Sequence, residues 1–178
     1  MKIKEFNYSA NFCEENIWHL CQNQELKDFT KKVLIVSNPL KNCPFRFQKS
    51  INDDEVVWWN YHVIMLASTA EINLVYDFDS TLSLPISAKE YFELTFEKKD
   101  HLKEGDLPFF KSINAMDYID SFFSDRSHMK DADGNWLSSP PDWHIIGKNK
   151  NLPLIKLQDF SISSEQKIYS LEEMEALI

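Results

Sequence analysis

The sequence has only three glycines and three cysteines among its 178 residues, and no apolar run approaches the length of a membrane span. Glycine this scarce, beside many aromatics, does not describe a linker or a disordered tail. Cys13, Cys21 and Cys43 are odd in number and lack any C-x-x-C pairing, so neither a disulfide framework nor a zinc site is expected, and a reducing compartment is. No N-terminal stretch has the apolar core of a signal peptide. Basic residues are also in deficit. Nineteen Lys and Arg against 28 Asp and Glu leave a net charge of −9, which argues against nucleic acid or an anionic membrane surface as partner. That charge mildly favours a cationic substrate, although salt screens such steering beyond about 8 Å.

Apolar residues make up 43% of the chain and aromatic residues 13%. One domain spanning residues 1–178 is therefore expected, long enough to bury roughly 70% of its unfolded surface. From Cys13 onward, Ile17, Leu20 and Cys21 recur at helical spacing. Asn11 is a candidate cap, and Glu14 and Glu15 suit the positive end of a helix dipole. A thiol at a helix start is favoured as thiolate, a strong nucleophile. The alternative is that Cys13 simply fills space, as buried free cysteines do.

Further along, Val33 to Val36 predicts a strand closed by a turn at Ser37-Asn38-Pro39, and residues 38–54 predict a loop. Val56 to Ala67 is the strongest strand signal. A short break at Ser68 to Glu71 leads to a second strand, Ile72 to Phe78, and the two predict an antiparallel hairpin. Alternation puts Asn60, His62 and Ile64 on one face of the first strand, and Val75 and Asp77 on one face of the second. Taken singly, His62 could be a satisfied core histidine. Asp77 in a strand also lacks a packing reason, and the two could satisfy each other. Ser87-Ala88-Lys89-Glu90 opens a helix running through about Glu97, Lys98 to Asp106 is a charged loop, Phe109 to Ile113 a strand, and residues 114–123 a helix. In the polar stretch 124–136 an EF-hand fails, because its first and twelfth positions would be Met129 and Pro140. Asp133-Gly134 predicts a tight turn. Ser170 to Glu173 is a second capping box, opening a terminal helix.

Cys13, His62 and Asp77 are what thiol acyl transfer requires: a sulfur that attacks a carbonyl-type carbon, an imidazole that moves the proton, and a carboxylate that orients the imidazole. Chain order, with Cys at a helix start and His and Asp on successive strands, points to a papain- or transglutaminase-like core. Such a trio can be picked out of many sequences by spacing alone.

Longer strings narrow the reading. Cys13-Glu14-Glu15-Asn16-Ile17-Trp18, Trp59-Asn60-Tyr61-His62-Val63, Tyr76-Asp77-Phe78-Asp79 and Ser124-Asp125-Arg126-Ser127-His128-Met129-Lys130-Asp131 with Gly134-Asn135-Trp136 are present in order. In these the chain resembles the protein N-terminal glutamine amidohydrolase family, whose triad falls on Cys13, His62 and Asp77. The resemblance implies a three-layer α-β-α sandwich around a largely antiparallel sheet. It implies conversion of N-terminal Gln to Glu with release of ammonia through a thioester, no metal and no cofactor. It also implies a cytoplasmic monomer acting on proteins or peptides with a free N-terminal Gln, ahead of arginylation in N-degron proteolysis. A nuclear location, or a secreted effector working in a host cytosol, would fit the same composition.

One position departs from the family pattern. Asn60 stands where W-D-Y-H would place an acid, so a charge that could hold the substrate's α-ammonium is missing there. Tyr8, Ser9, Asn60, Asp125 and Arg126 are the candidates for binding the free amine, with ordinary loop hydrogen bonding as their alternative. Rival functions are a papain-like protease, a transglutaminase-like enzyme and an inactive N-terminus-binding module.

Overall fold

A computed structural model describes residues 6–52, 55–96, 101–147, 151–161 and 166–178. Helix α1 (Cys13–Cys21) is followed by strands β1 (Thr30–Ser37), β2 (Cys43–Arg46), β3 (Val56–Trp59), β4 (His62–Ser68), β5 (Asn73–Tyr76) and β6 (Ile86–Ser87). Helix α2 (Ala88–Thr95), β7 (Phe109–Asn114), α3 (Ala115–Ser121) and β8 (Phe122–Phe123) come next. The chain ends with β9 (Leu152–Pro153), α4 (Leu154–Leu157), β10 (Ile168–Ser170) and α5 (Leu171–Glu175). The expected helix at 87–97 ends at Thr95, and Glu97 with Lys98 to Asp100 lies outside the described residues.

Six strands form one antiparallel sheet in the order β10-β7-β1-β4-β5-β6. Alternation along β1 and β4 splits the core between its two faces. Val33 and Ile35, with Val63, Met65 and Ala67, pack under α1, α3 and α4. Leu34 and Val36, with Ile64 and Leu66, pack under α2, β2 and α5. The fold is thus mixed α/β, with helices on both faces of an antiparallel sheet, as the sequence implies. The β4–β5 hairpin forms in the expected place, closed where Thr69 N–H donates to Ile72 O at 2.9 Å. Both halves of the Ser170–Glu173 capping box are present. Gly134 takes φ +85°, the left-handed conformation that the Asp133-Gly134 turn requires.

Three expectations fail. Asn11 is not the cap of α1: it sits at φ +67° and donates its side chain to Ser138 Oγ, while Phe12 occupies the cap position. Residues 38–54 are not all loop, since β2 runs through them and pairs antiparallel with β3. The stretch 56–67 is not one strand. It breaks at Asn60–Tyr61, so that β3 pairs with β2 and β4 enters the main sheet. Asn60 therefore does not share a strand face with His62. Its carbonyl accepts the Ser37 hydroxyl at 2.6 Å, which fixes the break.

Candidate active site

Everything of chemical interest gathers where the first turn of α1 meets the start of β4. The loop before α1 is pinned by a two-way clamp: Ser9 N–H donates to Asn16 Oδ1 and Asn16 Nδ2 returns a bond to Ser9 O, both at 2.8 Å. That clamp fixes the helix start, and Cys13 is its first residue. Cys13 shares its core cluster with Val63 and Met65, placing the thiol against the first residues of β4. Cys13 packs with the core under α1, whereas His62 keeps the parity of Ile64 and Leu66 on the opposite face. Thiol and imidazole thus reach one cleft from opposite faces, at the end of the sheet.

His62 is held on three sides. Its Nε2 lies 2.7 Å from Asp77 Oδ1, the Trp59 indole stacks on the ring at 5.9 Å, and Phe45 meets it edge-on at 5.3 Å. Asp77, one residue past β5, is itself saturated. Oδ1 also accepts the Asp79 N–H at 3.0 Å, and Oδ2 accepts the Tyr91 hydroxyl at 2.8 Å and Gln48 Nε2 at 3.1 Å. Burial works against the Asp77 charge, but the imidazole and these donors outweigh it and hold its carboxyl below the usual range. For His62, burial favours the neutral ring, yet the charge and hydrogen bond of Asp77 prevail and its pKa is raised.

The thiol behaves differently from the helix-start expectation. Burial pushes the Cys13 pKa well above its ordinary value, and the Glu14 and Asp79 carboxylates push the same way against the Val63 N–H. Glu14 lies directly alongside, its Oε2 3.6 Å from the sulfur. The helix dipole is overridden by desolvation and two nearby negative charges.

Around these residues a cleft of about 520 Å³ is lined by Asn11, Cys13, Trp58, Asn60, Tyr61, His62, Asp79 and His128, among others. Tyr61 donates to Glu14 Oε2 at 3.0 Å, and His128 Nε2 stands 3.3 Å from Glu14 Oε1. Among the described residues, His62, Asp77 and Asp79 offer donor atoms within 4.8 Å of one another, the spacing a metal would need. His62 Nε2 and both Asp77 oxygens are already spent on each other and on Gln48 and Tyr91, whereas Asp79 is engaged through Oδ1 alone, by Tyr8.

The remaining sequence candidates divide. Tyr8 donates to Asp79 Oδ1 at 2.6 Å, and Asn60 lines the cleft. Ser9 serves the α1 clamp. Asp125 faces a neighbouring cavity and accepts the Ser127 N–H at 2.9 Å. Arg126 points inward, paired with Glu15 through Nε at 2.9 Å and Nη2 at 2.8 Å, and is bonded also to the Trp143 and Pro141 carbonyls. Four of the five N–H groups of this buried guanidinium are committed to Glu15 and the two carbonyls, so its part is to lock residues 126–143 onto α1. Sequence reasoning gave no site role to Gln48, Tyr91, Glu14 and His128: Glu14 reads as a first-turn acid and Tyr91 as part of a helix, while Gln48 and His128 sit in polar stretches without a periodic signal. Asp79 turns its carboxylate toward Tyr8 and the cleft.

A thiol, an imidazole and a saturated carboxylate, gathered beside an open cleft in a mixed α/β fold, are the parts that a thiol-based hydrolase uses. Comparison with known proteins is specific. Residues 8–177 match the N-terminal glutamine amidase family. Proteins named protein N-terminal glutamine amidohydrolase from Drosophila mojavensis and Drosophila melanogaster are each 36% identical to this chain, over 97% of its length and 88% of theirs. The chain belongs to the N-terminal glutamine amidase family, and with it to the hydrolases that act on amides.

Proposed function

We propose that the protein deamidates the N-terminal glutamine of proteins and peptides to glutamate, with Cys13 as nucleophile, His62 as proton carrier and Asp77 as orienting acid. The observation that carries this reading is the 2.7 Å bond between His62 Nε2 and Asp77 Oδ1, beside a cleft that both His62 and Cys13 line. Family membership supplies the substrate. The order of a helix-start Cys, then His and Asp along adjacent strands, supports kinship with papain and transglutaminase cores.

With Nε2–H given to Asp77, Nδ1 is the nitrogen that takes the thiol proton. The sulfur bonds to the side-chain amide carbon, and the oxygen gains charge near the first-turn N–H groups of α1, including that of Cys13. Collapse breaks the C–N bond as the imidazolium gives its proton to the leaving nitrogen, releasing ammonia and leaving a γ-glutamyl thioester. Water then adds, His62 takes its proton, and the C–S bond breaks to free glutamate and return the thiol. With the Cys13 pKa raised by burial, proton transfer to His62 accompanies attack, and an imidazole held by Asp77 suits that task.

Lys41 and Gln158, at one side of the cleft, also line two neighbouring cavities, and the chain following the glutamine leaves on that side. In an N-degron role the product glutamate would precede arginylation. The test is ammonia release from peptides bearing free N-terminal Gln, N-terminal Asn, acetylated Gln or internal Gln. Only the first should react well. Asn places its amide carbon one methylene short, and a misplacement of about 1 Å can cost a hundredfold. Crosslinking to an added amine, or cleavage of the backbone, would move the assignment to a transglutaminase or a protease.

A further inference from the structure

Deamidation of terminal but not internal glutamine needs a group that reads the free α-ammonium, since the amides are the same. An ammonium drawn out of water into a cleft requires an anionic partner. Among the described residues that line the Cys13–His62 cleft, Asp79 is the one carboxylate. Resting on the deamidase reading above, we propose that Asp79, positioned by Tyr8, is the receptor for the substrate's α-ammonium.

Its placement is fixed by the catalytic apparatus itself. The Asp79 N–H donates to Asp77 Oδ1, and its carbonyl accepts the Lys49 N–H at 2.8 Å. The residue therefore holds a set position relative to the pair that works on the amide carbon. Three carbon–carbon bonds separate Cα from that carbon in glutamine, so the receptor must stand close to the nucleophile, and Asp79 lines the same cleft as Cys13. Tyr8 occupies Oδ1 at 2.6 Å and orients the group.

Asp79 is also short of compensation. Burial, with the Asp77 charge added, raises its carboxyl pKa despite His62, Tyr8 and Lys49 acting the other way. A bound ammonium would supply the missing positive charge. Lys41, which also lines the cleft, would repel an α-ammonium, and it lines the two neighbouring cavities as well. The substrate terminus thus points to Asp79 and the following chain leaves past Lys41. This also resolves Asn60: the cleft keeps its negative charge although that position is neutral.

The experiment compares two substrates, a peptide with N-terminal Gln and the same peptide with the α-amine replaced by hydrogen. Wild-type enzyme should favour the amine-bearing peptide in kcat/KM. In Asp79→Asn that preference should fall by about 30–100-fold, mostly through KM, the scale of losing one partner of a desolvated charge pair. Tyr8→Phe should lower it severalfold. Effects of Asp79 on His62 act on both substrates and cancel in the ratio. A measurement on wild type alone bears on the same point. As pH falls through the raised carboxyl range, KM should climb for the Gln peptide and not for the des-amino peptide, while changes in His62, Asp77 or Lys49 affect both. If Asp79→Asn keeps the wild-type preference, or KM follows pH alike for both peptides, Asp79 is not the receptor and the deamidase reading stands. If wild type frees no ammonia from the Gln peptide, both fall.

Discussion

Replacing Asp77 by Asn keeps its shape and removes its charge, and the surrounding bonds set the outcome. Oδ1 receives the imidazole and the Asp79 N–H, while Oδ2 receives Tyr91 and Gln48. An asparagine must turn its NH2 to one side. Against Tyr91 and Gln48 that is tolerable, because the hydroxyl can rotate and the glutamine amide can flip to accept. Its oxygen then stays on His62 and the working tautomer survives. What is lost is the charge opposite the imidazolium. The serine counterpart, where the tautomer itself is wrong, costs about 10⁴ in turnover. Here about 10²-fold is expected, with about 2 kcal/mol of stability from weakened charge-assisted bonds. The pH behaviour adds a signature. His62, raised in the fold, stabilises it fully below about 6.5, and that support fades as pH rises through the folded value. Asp77, lowered in the fold, stabilises it above about 3.9 and fades as pH falls through its folded value. Together they contribute most between those limits, and Asp77→Asn should flatten the wild-type stability curve there. Since His62 must be neutral to take the thiol proton, the acid limb of the rate profile should move to lower pH. Steady-state kinetics against pH, with thermal melts, would check all three effects. Turnover within threefold of wild type, with an unmoved acid limb, would refute Asp77 as the orienting acid.

Two more outcomes follow from burial. Cys13, 9% exposed and lining the cleft, should be alkylated before Cys21 and Cys43, at 1% and 0%. Its raised pKa means the rate at neutral pH should fall below that of a free thiol and climb steadily as pH rises; mass mapping after brief iodoacetamide treatment reads this, and a neutral-pH rate above the free thiol would show a thiolate instead. Arg126→Ala would strip Glu15 of its buried partner, and denaturant titration should show a loss of about 3–5 kcal/mol. A loss below 1 kcal/mol would mean that the 126–143 segment is not held by this pair.

Much of the site was legible because it follows local rules. Helical spacing after Cys13 announced α1, and two apolar runs around a short break announced the β4–β5 hairpin that brings His62 to Asp77. The misreadings had physical causes. The 56–67 run contains neither Gly nor Pro, so nothing in it marks the break at Asn60, which depends on a carbonyl reaching Ser37. β2 carries Pro44 and belongs to a two-stranded sheet, where the lost N–H is tolerated, and it read as loop. Arg126 has the composition of a surface loop, and only its Glu15 partner, 111 residues away, accounts for its burial. The raised Cys13 pKa came from burial and tertiary neighbours, which no helix-start rule contains.

The account turns on whether this thiol removes ammonia from a terminal glutamine. Wild type and Cys13→Ala, both shown folded by melting, should be given the free N-terminal Gln peptide beside its acetylated and internal-Gln counterparts. Ammonia and product mass are then followed together. Wild type should convert only the free-terminus peptide, with a gain of about one mass unit as amide becomes acid, and Cys13→Ala should convert none. Comparable turnover of the acetylated or internal peptide, or ammonia release that survives loss of Cys13, would contradict it.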